Sequence, residues 1–346
     1  MNNEFYMRRC IDLAQLGSGL VAPNPMVGSV IVYNDKIIGE GFHKEFGGNH
    51  AEVNAILAVK DKSLLKKATI YVNLEPCSHF GKTPPCADLL IHHQFKKIVI
   101  ACKDVNLEVA GKGIEKLKAA GIEVVLGVLE KEALALNKRF FTFHSKKRPY
   151  IILKWAQTKD GFIDKLRSEN DKNSINWISS PETQTIVHQW RSEEQAILVG
   201  RKTIENDNPS LTVRNVKGKN PIKVILDPNI ELKSLNYSIF NDTSARILIL
   251  NKTVSKQIGN IKYIKINTFN LKEILHSLFK ENILSVFIEG GKITLQHFIA
   301  ENFWDEMRVI EGNTFFKSGL KAPKIDILPT KIDSFSKDKI YHYFCK

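Results

Sequence analysis

Three side chains with good affinity for a soft divalent metal occur in an order that suits a single site. His50 opens a segment of helical periodicity, Cys77 follows an apolar strand-like run, and Cys86 opens a second helical segment. One imidazole and two thiolates leave a tetrahedral zinc with its fourth position open to water, as in catalytic sites; a closed structural site takes a fourth His or Cys. Zinc lowers the pKa of a bound water towards 7, which makes hydroxide chemistry available at neutral pH. Glu52 lies two residues after His50 and is not needed as a ligand. A carboxylate there can take a proton from the water and return it to a leaving amine, the two transfers that hydrolytic deamination requires. Taken singly, His50 and Glu52 also read as an ordinary helix start with an acidic first turn, and the cysteines as small buried apolar residues. Their joint placement is what that reading leaves unexplained. Cys10, Cys102 and Cys345 have no His or Cys at ligand spacing and read as structural, and His92 and His93 fall late in a helical segment, where the helix dipole or solvent suits them.

The elements that must hold these residues alternate in type. A helical pattern at 6–16 ends in Gly17-Ser18-Gly19 and Pro23-Asn24-Pro25; strand patterns at 27–33 and 36–42 are joined by Asn34-Asp35, a hairpin signal. Helices then alternate with strands: 50–60, 69–74, a helix from Cys86, 97–101, 113–120 and 122–126, followed by a helical stretch at 130–141. Such alternation predicts a layered α/β domain with helices on both faces of a sheet. The basic, breaker-containing stretch His144-Ser145-Lys146-Lys147-Arg148-Pro149 predicts a linker, giving domains at 1–145 and 148–346. Beyond it, apolar strands at 150–153, 196–199, 222–226, 246–250, 285–288 and 307–310 interleave with helical patterns at 181–191, 271–281 and 292–301, a second α/β unit unlike the first.

Composition sets the outer limits. At 346 residues the chain exceeds what one core usually organises, and 43% apolar with 25% charged residues excludes disordered and fibrous classes. No apolar run approaches the roughly 20 residues of a membrane span. The opening Met1-Asn2-Asn3-Glu4-Phe5 lacks a basic region followed by an apolar one, and five cysteines form no disulfide framework, so a cytoplasmic protein is expected. The net charge of +13 is spread along the chain without a basic block, which reads as a Lys-rich surface with some pull on anionic small molecules. No nucleic-acid or membrane partner is expected.

The His50-Ala51-Glu52 and Pro76-Cys77 … Cys86 pattern is similar to the known H-x-E…P-C-x-x-C signature of zinc deaminases, with eight residues between the cysteines in place of two. That loop, Ser78-His79-Phe80-Gly81-Lys82-Thr83-Pro84-Pro85, can place a cation and backbone donors beside the metal. With Pro23-Asn24-Pro25-Met26-Val27-Gly28 it makes the chain resemble the bifunctional deaminase/reductase family of bacterial riboflavin biosynthesis. The resemblance extends to Leu153-Lys154-Trp155-Ala156, to Ala196-Ile197-Leu198-Val199-Gly200, to the string from Asp207 to Arg214, and to Glu289-Gly290-Gly291. It implies a cytidine-deaminase-like α/β/α domain followed by a dihydrofolate-reductase-like α/β domain. The implied first reaction removes the 2-amino group of a diaminohydroxypyrimidine carrying a phosphoribosylamino arm, and the second uses NADPH to reduce the ribosyl arm to ribityl. The substrate is thus a phosphorylated pyrimidine, and a homo-oligomer is expected.

By the same resemblance Asn24 holds the pyrimidine and Lys82 lies near the phosphate or ring. Ala156, Trp177, Thr203 and Asp207 are implied to contact the nicotinamide cofactor, and Arg191, Leu211, Arg214 and Glu289 the substrate. Physical reasons accompany several of these. Arg191 and Arg214 offer guanidinium forks that match phosphate oxygens. Lys154 lies in an apolar strand, where a charge needs a partner. Gly291 and Lys292 follow a strand and open a helix whose backbone N–H groups can receive a pyrophosphate, although no G-x-G-x-x-G fingerprint occurs. The chain departs from the reductase pattern at Thr158-Lys159-Asp160-Gly161, at Ile175 with Ser174 beside it, and at Gln195, where the family usually has Ser-Leu-Asp-Gly, a substrate-touching Ser and Asp. These departures leave open a homologue with one inactive domain. A nucleic-acid base deaminase would show a short C-x-x-C and a concentrated basic surface, and a zinc-stabilised RNA-binding protein a fourth ligand; neither is found.

Overall fold

The computed structural model describes residues 2–78, 84–105, 111–168, 175–232 and 236–345. The chain divides into two compact units, Met1–Lys147 and Arg148–Lys346.

The first unit contains α1 (Asn3–Gln15), β1 (Gly28–Tyr33), β2 (Lys36–Phe42), α2 (Ala51–Ala58), β3 (Thr69–Leu74), α3 (Cys86–His92), β4 (Lys97–Cys102), α4 (Lys112–Ala119), β5 (Glu123–Leu126), α5 (Glu130–Leu136) and α6 (Lys138–Lys146). Its sheet runs β2-β1-β3-β4-β5. The β1–β2 and β1–β3 pairs are antiparallel, and β3, β4 and β5 are parallel. The β1–β2 hairpin turns at Asn34 and Asp35, both at positive φ (49° and 56°), as a two-residue hairpin turn demands of its central residues. Successive strand residues feed opposite faces. Ile31, Ile70, Val72, Ile98 and Ile100 pack with α2, α3 and α4, whereas Val30, Val32, Tyr71, Val99 and Ala101 pack with α1 and α5. Every residue of β3 is buried, so its sequence lacks an apolar–polar alternation, and its one amide, Asn73, is buried on bonds to the Gly28 N–H and the Met26 carbonyl.

Two expectations at the end of this unit need correction. The helical stretch expected at 130–141 is two helices that meet at Asn137 (φ −99°, ψ 22°). There the Asn137 side chain accepts the Met26 N–H (2.8 Å) and donates to the Met26 carbonyl (2.9 Å), bracing the loop that carries Asn24. The linker expected at 144–149 is shorter, because α6 runs on to Lys146 and stops at Lys147 in the left-handed region. Buried Phe140 and Phe143 anchor that helix, and its basic last turn faces the negative end of the dipole.

The second unit contains β6 (Tyr150–Thr158), β7 (Phe162–Asp164), α7 (Pro181–Glu193), β8 (Ala196–Gly200), α8 (Arg201–Asp207), β9 (Ile222–Leu226), β10 (Ile247–Asn251), β11 (Lys256–Ile258), β12 (Ile261–Lys265), α9 (Leu271–Lys280), β13 (Ser285–Ile288), α10 (Lys292–Ala300), β14 (Glu306–Gly312), β15 (Leu320–Lys321), β16 (Lys331–Phe335) and β17 (Asp338–Phe344). Ten strands form one sheet in the order β11-β12-β10-β9-β8-β13-β6-β14-β17-β16, parallel except at its two ends, and β15 pairs with β7 apart from it. One face packs on α9 and α10 through Leu271, Ile274, Leu275, Leu278, Leu295 and Phe298. The other collects Ile152, Ile197, Val199, Ile225, Ile249 and Phe287 with Ile204 of α8 and Leu211.

The strand expected at 150–153 continues to Thr158, pairing with β14 from Ile152↔Glu306 to Thr158↔Gly312. Lys154 interrupts the apolar pattern without ending the strand. Strands β7, β12, β15 and β17, the helix α8 and the edge strands β11 and β16 lie outside the sequence expectations. The two edge strands are exposed along most of their length, so no apolar period marks them. Among the described residues no helix is long and apolar enough to cross a membrane.

Candidate active sites

In the first unit the parallel strands deliver residues to the helix starts beyond them. His50 is the N-cap of α2, Cys77 lies three residues past β3, and Cys86 is the first residue of α3. The Nδ1 atom of His50 and the two sulfurs lie within 4.8 Å of one another. His50 Nδ1 is 3.2 Å from Cys86 Sγ and 3.6 Å from Cys77 Sγ. Bond lengths of about 2.0–2.1 Å to nitrogen and 2.3 Å to sulfur around a tetrahedral zinc put such N···S pairs at roughly 3.5 Å, so the donor set and its spacing fit that metal. Cys77 is prepared for the thiolate form. The Cys86 thiol, the His50 imidazole and the Cys86 main-chain N–H (3.3 Å) together draw its pKa well below the usual thiol range.

Glu52 sits in the first turn of α2 at 3% exposure. Burial, with the negative Cys77 sulfur as a second cause, pushes its carboxyl up from the usual range. A carboxyl with a raised pKa holds and releases a proton nearer neutrality than a solvated one. Asn24 lies in the loop before β1, where its Nδ2 is 3.0 Å from His43 Nε2. The other ring nitrogen of His43 faces the Asn49 carbonyl (2.9 Å), and the His43 and His50 rings stand edge to face at 5.6 Å. Lys82 falls outside the described residues.

Sequence reasoning missed Glu75, which braces this region. Its Oε1 accepts the N–H groups of Gly113 (3.0 Å) and Ile114 (3.2 Å), and its Oε2 those of Gly111 (3.0 Å) and Asp104 (3.2 Å). The buried carboxylate thus caps α4 while its own neighbours in the chain, Pro76 and Cys77, lead into the His–Cys–Cys site. Gly113 lets the two segments touch, since a Cβ there would lie 2.1 Å from the Pro76 carbonyl oxygen. No pattern of residue types marked it, since its partners are main-chain groups of a distant segment.

In the second unit a cavity of about 400 Å³ is lined by Lys154, Trp177, Arg191, Leu211 and Arg214, with His188, Ser210 and Ile175 among the other lining residues. The parallel register sets Ile288 of β13 opposite Leu153 of β6, so Lys154 and Glu289 emerge side by side. Glu289 accepts two bonds from the Arg191 guanidinium (2.6 and 2.8 Å) and lies 3.4 Å from Lys154 Nζ. Its burial opposes ionisation, yet Arg191 and then Lys154 hold its pKa at about 2. The fork of Arg191 is therefore turned towards a carboxylate of its own chain. Arg214 differs. Its guanidinium meets the Ser210 and Thr212 hydroxyls, and among the described residues it forms no ion pair. Burial and the nearby Arg191 charge lower its pKa, the electrostatic mark of a cation without a counter-ion.

The cofactor-directed residues are more dispersed. Trp177 is 59% exposed and lines the cavity wall. Thr203 Oγ1 accepts the N–H of Gly291 (2.9 Å), the N-cap of α10, where Lys292 begins the helix. Gly290 allows the strand ends to close up, since a Cβ there would sit 3.1 Å from the Gly200 nitrogen. Asp207 pairs with Arg167 (2.6 Å), which also holds Asp164 (2.6 Å). Ala156 packs with the small Val187–Ile310–Ile340 cluster. Among the cavity residues, His188 was missed although it stands one helical turn before Arg191.

Comparison with known proteins resolves what two such units in one chain amount to. Residues 1–102 match the cytidine and deoxycytidylate deaminase zinc-binding region, and residues 149–315 match the RibD C-terminal domain. The chain is 41% identical over 328 residues to the riboflavin biosynthesis protein RibD of Aquifex aeolicus, covering 93% of this chain and 90% of that protein. The chain belongs to the RibD family. The crystal structure of the Thermotoga maritima diaminohydroxyphosphoribosylaminopyrimidine deaminase/5-amino-6-(5-phosphoribosylamino)uracil reductase superposes with a TM-score of 0.89 at 35% identity, covering 99% of both chains. RibD of Acinetobacter baumannii gives 0.88 at 32% identity, over 99% of this chain and 98% of that one. The two units are thus the cytidine-deaminase-like and dihydrofolate-reductase-like domains that the resemblance implied.

At the positions where the chain departs from the RibD pattern, local contacts show what the substitutes do. Thr158 Oγ1 accepts the Phe162 N–H and bonds to Asp160, and Asp160 accepts the N–H groups of Phe316 and Lys317, so the turn at Thr158-Lys159-Asp160-Gly161 is tied together. Gln195 donates to the Asn282 carbonyl (3.0 Å) and accepts the Leu284 N–H (2.8 Å), fastening the start of β13 to that of β8. Ile175 adds an apolar surface to the cavity wall, and Ser174 lies outside the described residues.

Proposed function

We propose that this chain carries out both reactions named for its Thermotoga relative: deamination of 2,5-diamino-6-(5-phosphoribosylamino)pyrimidin-4-one, then reduction of the ribosyl arm to give 5-amino-6-(5-phosphoribitylamino)uracil. The observation that carries the reading is the pairing, in one RibD chain, of a three-donor His–Cys–Cys site beside a buried carboxylate with a cation-lined cavity. Zinc held by His50, Cys77 and Cys86 supplies Lewis acidity and lowers the pKa of water. Glu52 takes the proton as water adds to the ring carbon bearing the amino group, then passes it to that amine, and ammonia leaves as the C–N bond breaks. Asn24 holds the pyrimidine, with Lys82 near the phosphate or ring.

NADPH bound in the reductase unit would supply the hydride for reducing C1′ of the ring-opened imine, whose nitrogen gains a proton. Arg214 holds the substrate phosphate, because among the described residues it is the cavity cation whose charge is not already met by a carboxylate. Glu289 fixes Arg191 and Lys154 in the wall, leaving Lys154 to donate to the sugar, while Leu211 packs against the substrate. Trp177, Ala156, Thr203, Asp207, Gly291 and Lys292 hold the cofactor, with the α10 N-terminus facing its pyrophosphate. The reading places the enzyme in the cytoplasm as a homo-oligomer acting on a small molecule, without nucleic acid. Its test is ammonia release from the diaminopyrimidine followed by substrate-dependent NADPH oxidation; reduction without prior ammonia release would overturn the assignment of the first unit.

A further inference from the structure

We propose that His188 is a positioning residue for the reduction, holding Arg214 against the cavity by accepting its main-chain N–H on Nδ1. The proposal rests on the reading of Arg214 as the phosphate anchor. His188 and Arg191 stand three residues apart on α7 and so share one helical face, and both line the cavity that Arg214 also lines. The Arg214 nitrogen lies 3.3 Å from His188 Nδ1. An Nδ1 that accepts carries no proton, so the neutral ring keeps its single hydrogen on Nε2.

The segment that this bond restrains needs restraint. Residues 208–214 contain no helix or strand, and Leu211 adopts φ 52°, an unfavourable left-handed conformation for a branched side chain that persists only where surrounding contacts hold it. Several tethers act on its end. Arg191 Nη1 reaches the Thr212 carbonyl (3.4 Å), Asn220 Oδ1 accepts the Val213 N–H (2.8 Å), and His188 accepts the N–H of Arg214 itself. The last is the tether on the residue bearing the guanidinium, and it joins that residue to the helix that carries Arg191. The two cations repel, so without it the 208–214 segment, which no helix or strand fixes, can carry Arg214 away from α7. His188 suits the place because it stays uncharged there: its burial, then the Arg191 and Arg214 charges, outweigh the attraction of Glu289 and of the Thr212 carbonyl and hold its pKa at about 4.

Steady-state kinetics of the full-length protein decide the matter, with thermal melting of the reductase unit as the control of folding. His188→Leu removes the acceptor, whereas His188→Asn keeps an oxygen near the place of Nδ1. We expect His188→Leu to raise the reductase KM for the phosphorylated substrate at least tenfold, with kcat within threefold and the NADPH KM unchanged, and His188→Asn to restore KM to within threefold of the starting protein. Equal failure of both variants, or a loss confined to kcat, would overturn the positioning role. If His188→Leu does not fold, His188→Asn alone decides, and a tenfold rise in its KM counts against the proposal. Arg214→Ala is measured beside them. An unchanged KM there refutes the phosphate reading, while a raised KM there with an unchanged KM in His188→Leu refutes the positioning role alone.

Discussion

Glu52 and the three donors around it occupy neighbouring places but answer different questions of chemistry, so single substitutions separate them. Glu52→Gln keeps the shape of the side chain and removes its capacity to carry a proton. Deamination is expected to fall by at least a hundredfold while the metal content stays near one zinc per chain, measured by metal analysis beside the ammonia assay; loss of both together would make Glu52 a ligand or a structural group. In the second unit Arg214→Ala is expected to raise the reductase KM by roughly 1.5–3 kcal/mol, about 10- to 150-fold, the worth of a charged hydrogen bond, with NADPH affinity and deamination unchanged. Weakened NADPH binding at normal substrate affinity would move Arg214 to the cofactor. The pH response at this scale has a definite sign. His188 titrates at about 4 in the fold against about 6.5 in an unfolded chain, so its contribution to stability is whole above pH 6.5 and declines as pH falls towards 4. Glu289, held at about 2, adds a contribution that is whole above the ordinary carboxylate range and declines below it. Thermal melting of the reductase unit is therefore expected to drop between pH 7 and pH 5, and His188→Asn to flatten that drop.

Helices and strands show where sequence reading succeeds. The zinc donors were legible because each stands at a change of element, where apolar periodicity switches and a Pro or a helix start marks the place. Lys154 was legible as a charge in need of a partner, and the strand register supplies that partner as Glu289. Glu75, His188 and Asn137 were not legible, since their partners are main-chain groups that lie elsewhere in the sequence and leave no pattern of residue types. The exposed edge strands β11 and β16 escaped for a related reason: with neither face buried, nothing selects an alternating sequence. Glu75 offers the sharpest test of an element-level role. Glu75→Gln would point an NH2 group at two main-chain N–H donors and is expected to lower the stability of the first unit by about 2–4 kcal/mol. Because the same side chain lies beside the Pro76-Cys77 segment, zinc affinity should fall with it, read by competition with a chelator. Unchanged melting and affinity would show that the four-bond cap is dispensable.

Across the whole chain, the two units differ in what they depend on. Chelation of zinc is expected to abolish ammonia release and leave NADPH-dependent reduction of the deaminated intermediate intact. A fragment beginning at Arg148 is expected to fold and bind NADPH, because its core clusters draw their residues from beyond that point; a folded fragment that fails to bind would locate part of the cofactor site elsewhere. The order of strands has a further consequence, for time rather than for equilibrium. In the first sheet each strand pairs with one close to it in sequence: β1 with β2 and β3, β3 with β4, β4 with β5. In the second, β6 waits for β13 and β14, so Leu153 meets Ile288 and Met307 only after more than a hundred intervening residues have been made. Closing such loops slows the search, and until it succeeds the apolar Tyr150-Ile151-Ile152-Leu153 segment lacks its sheet neighbours. On dilution from denaturant with zinc present, deaminase activity should return first and reductase activity later. The delayed species would carry an unpaired β6, the segment most exposed to aggregation as protein concentration rises.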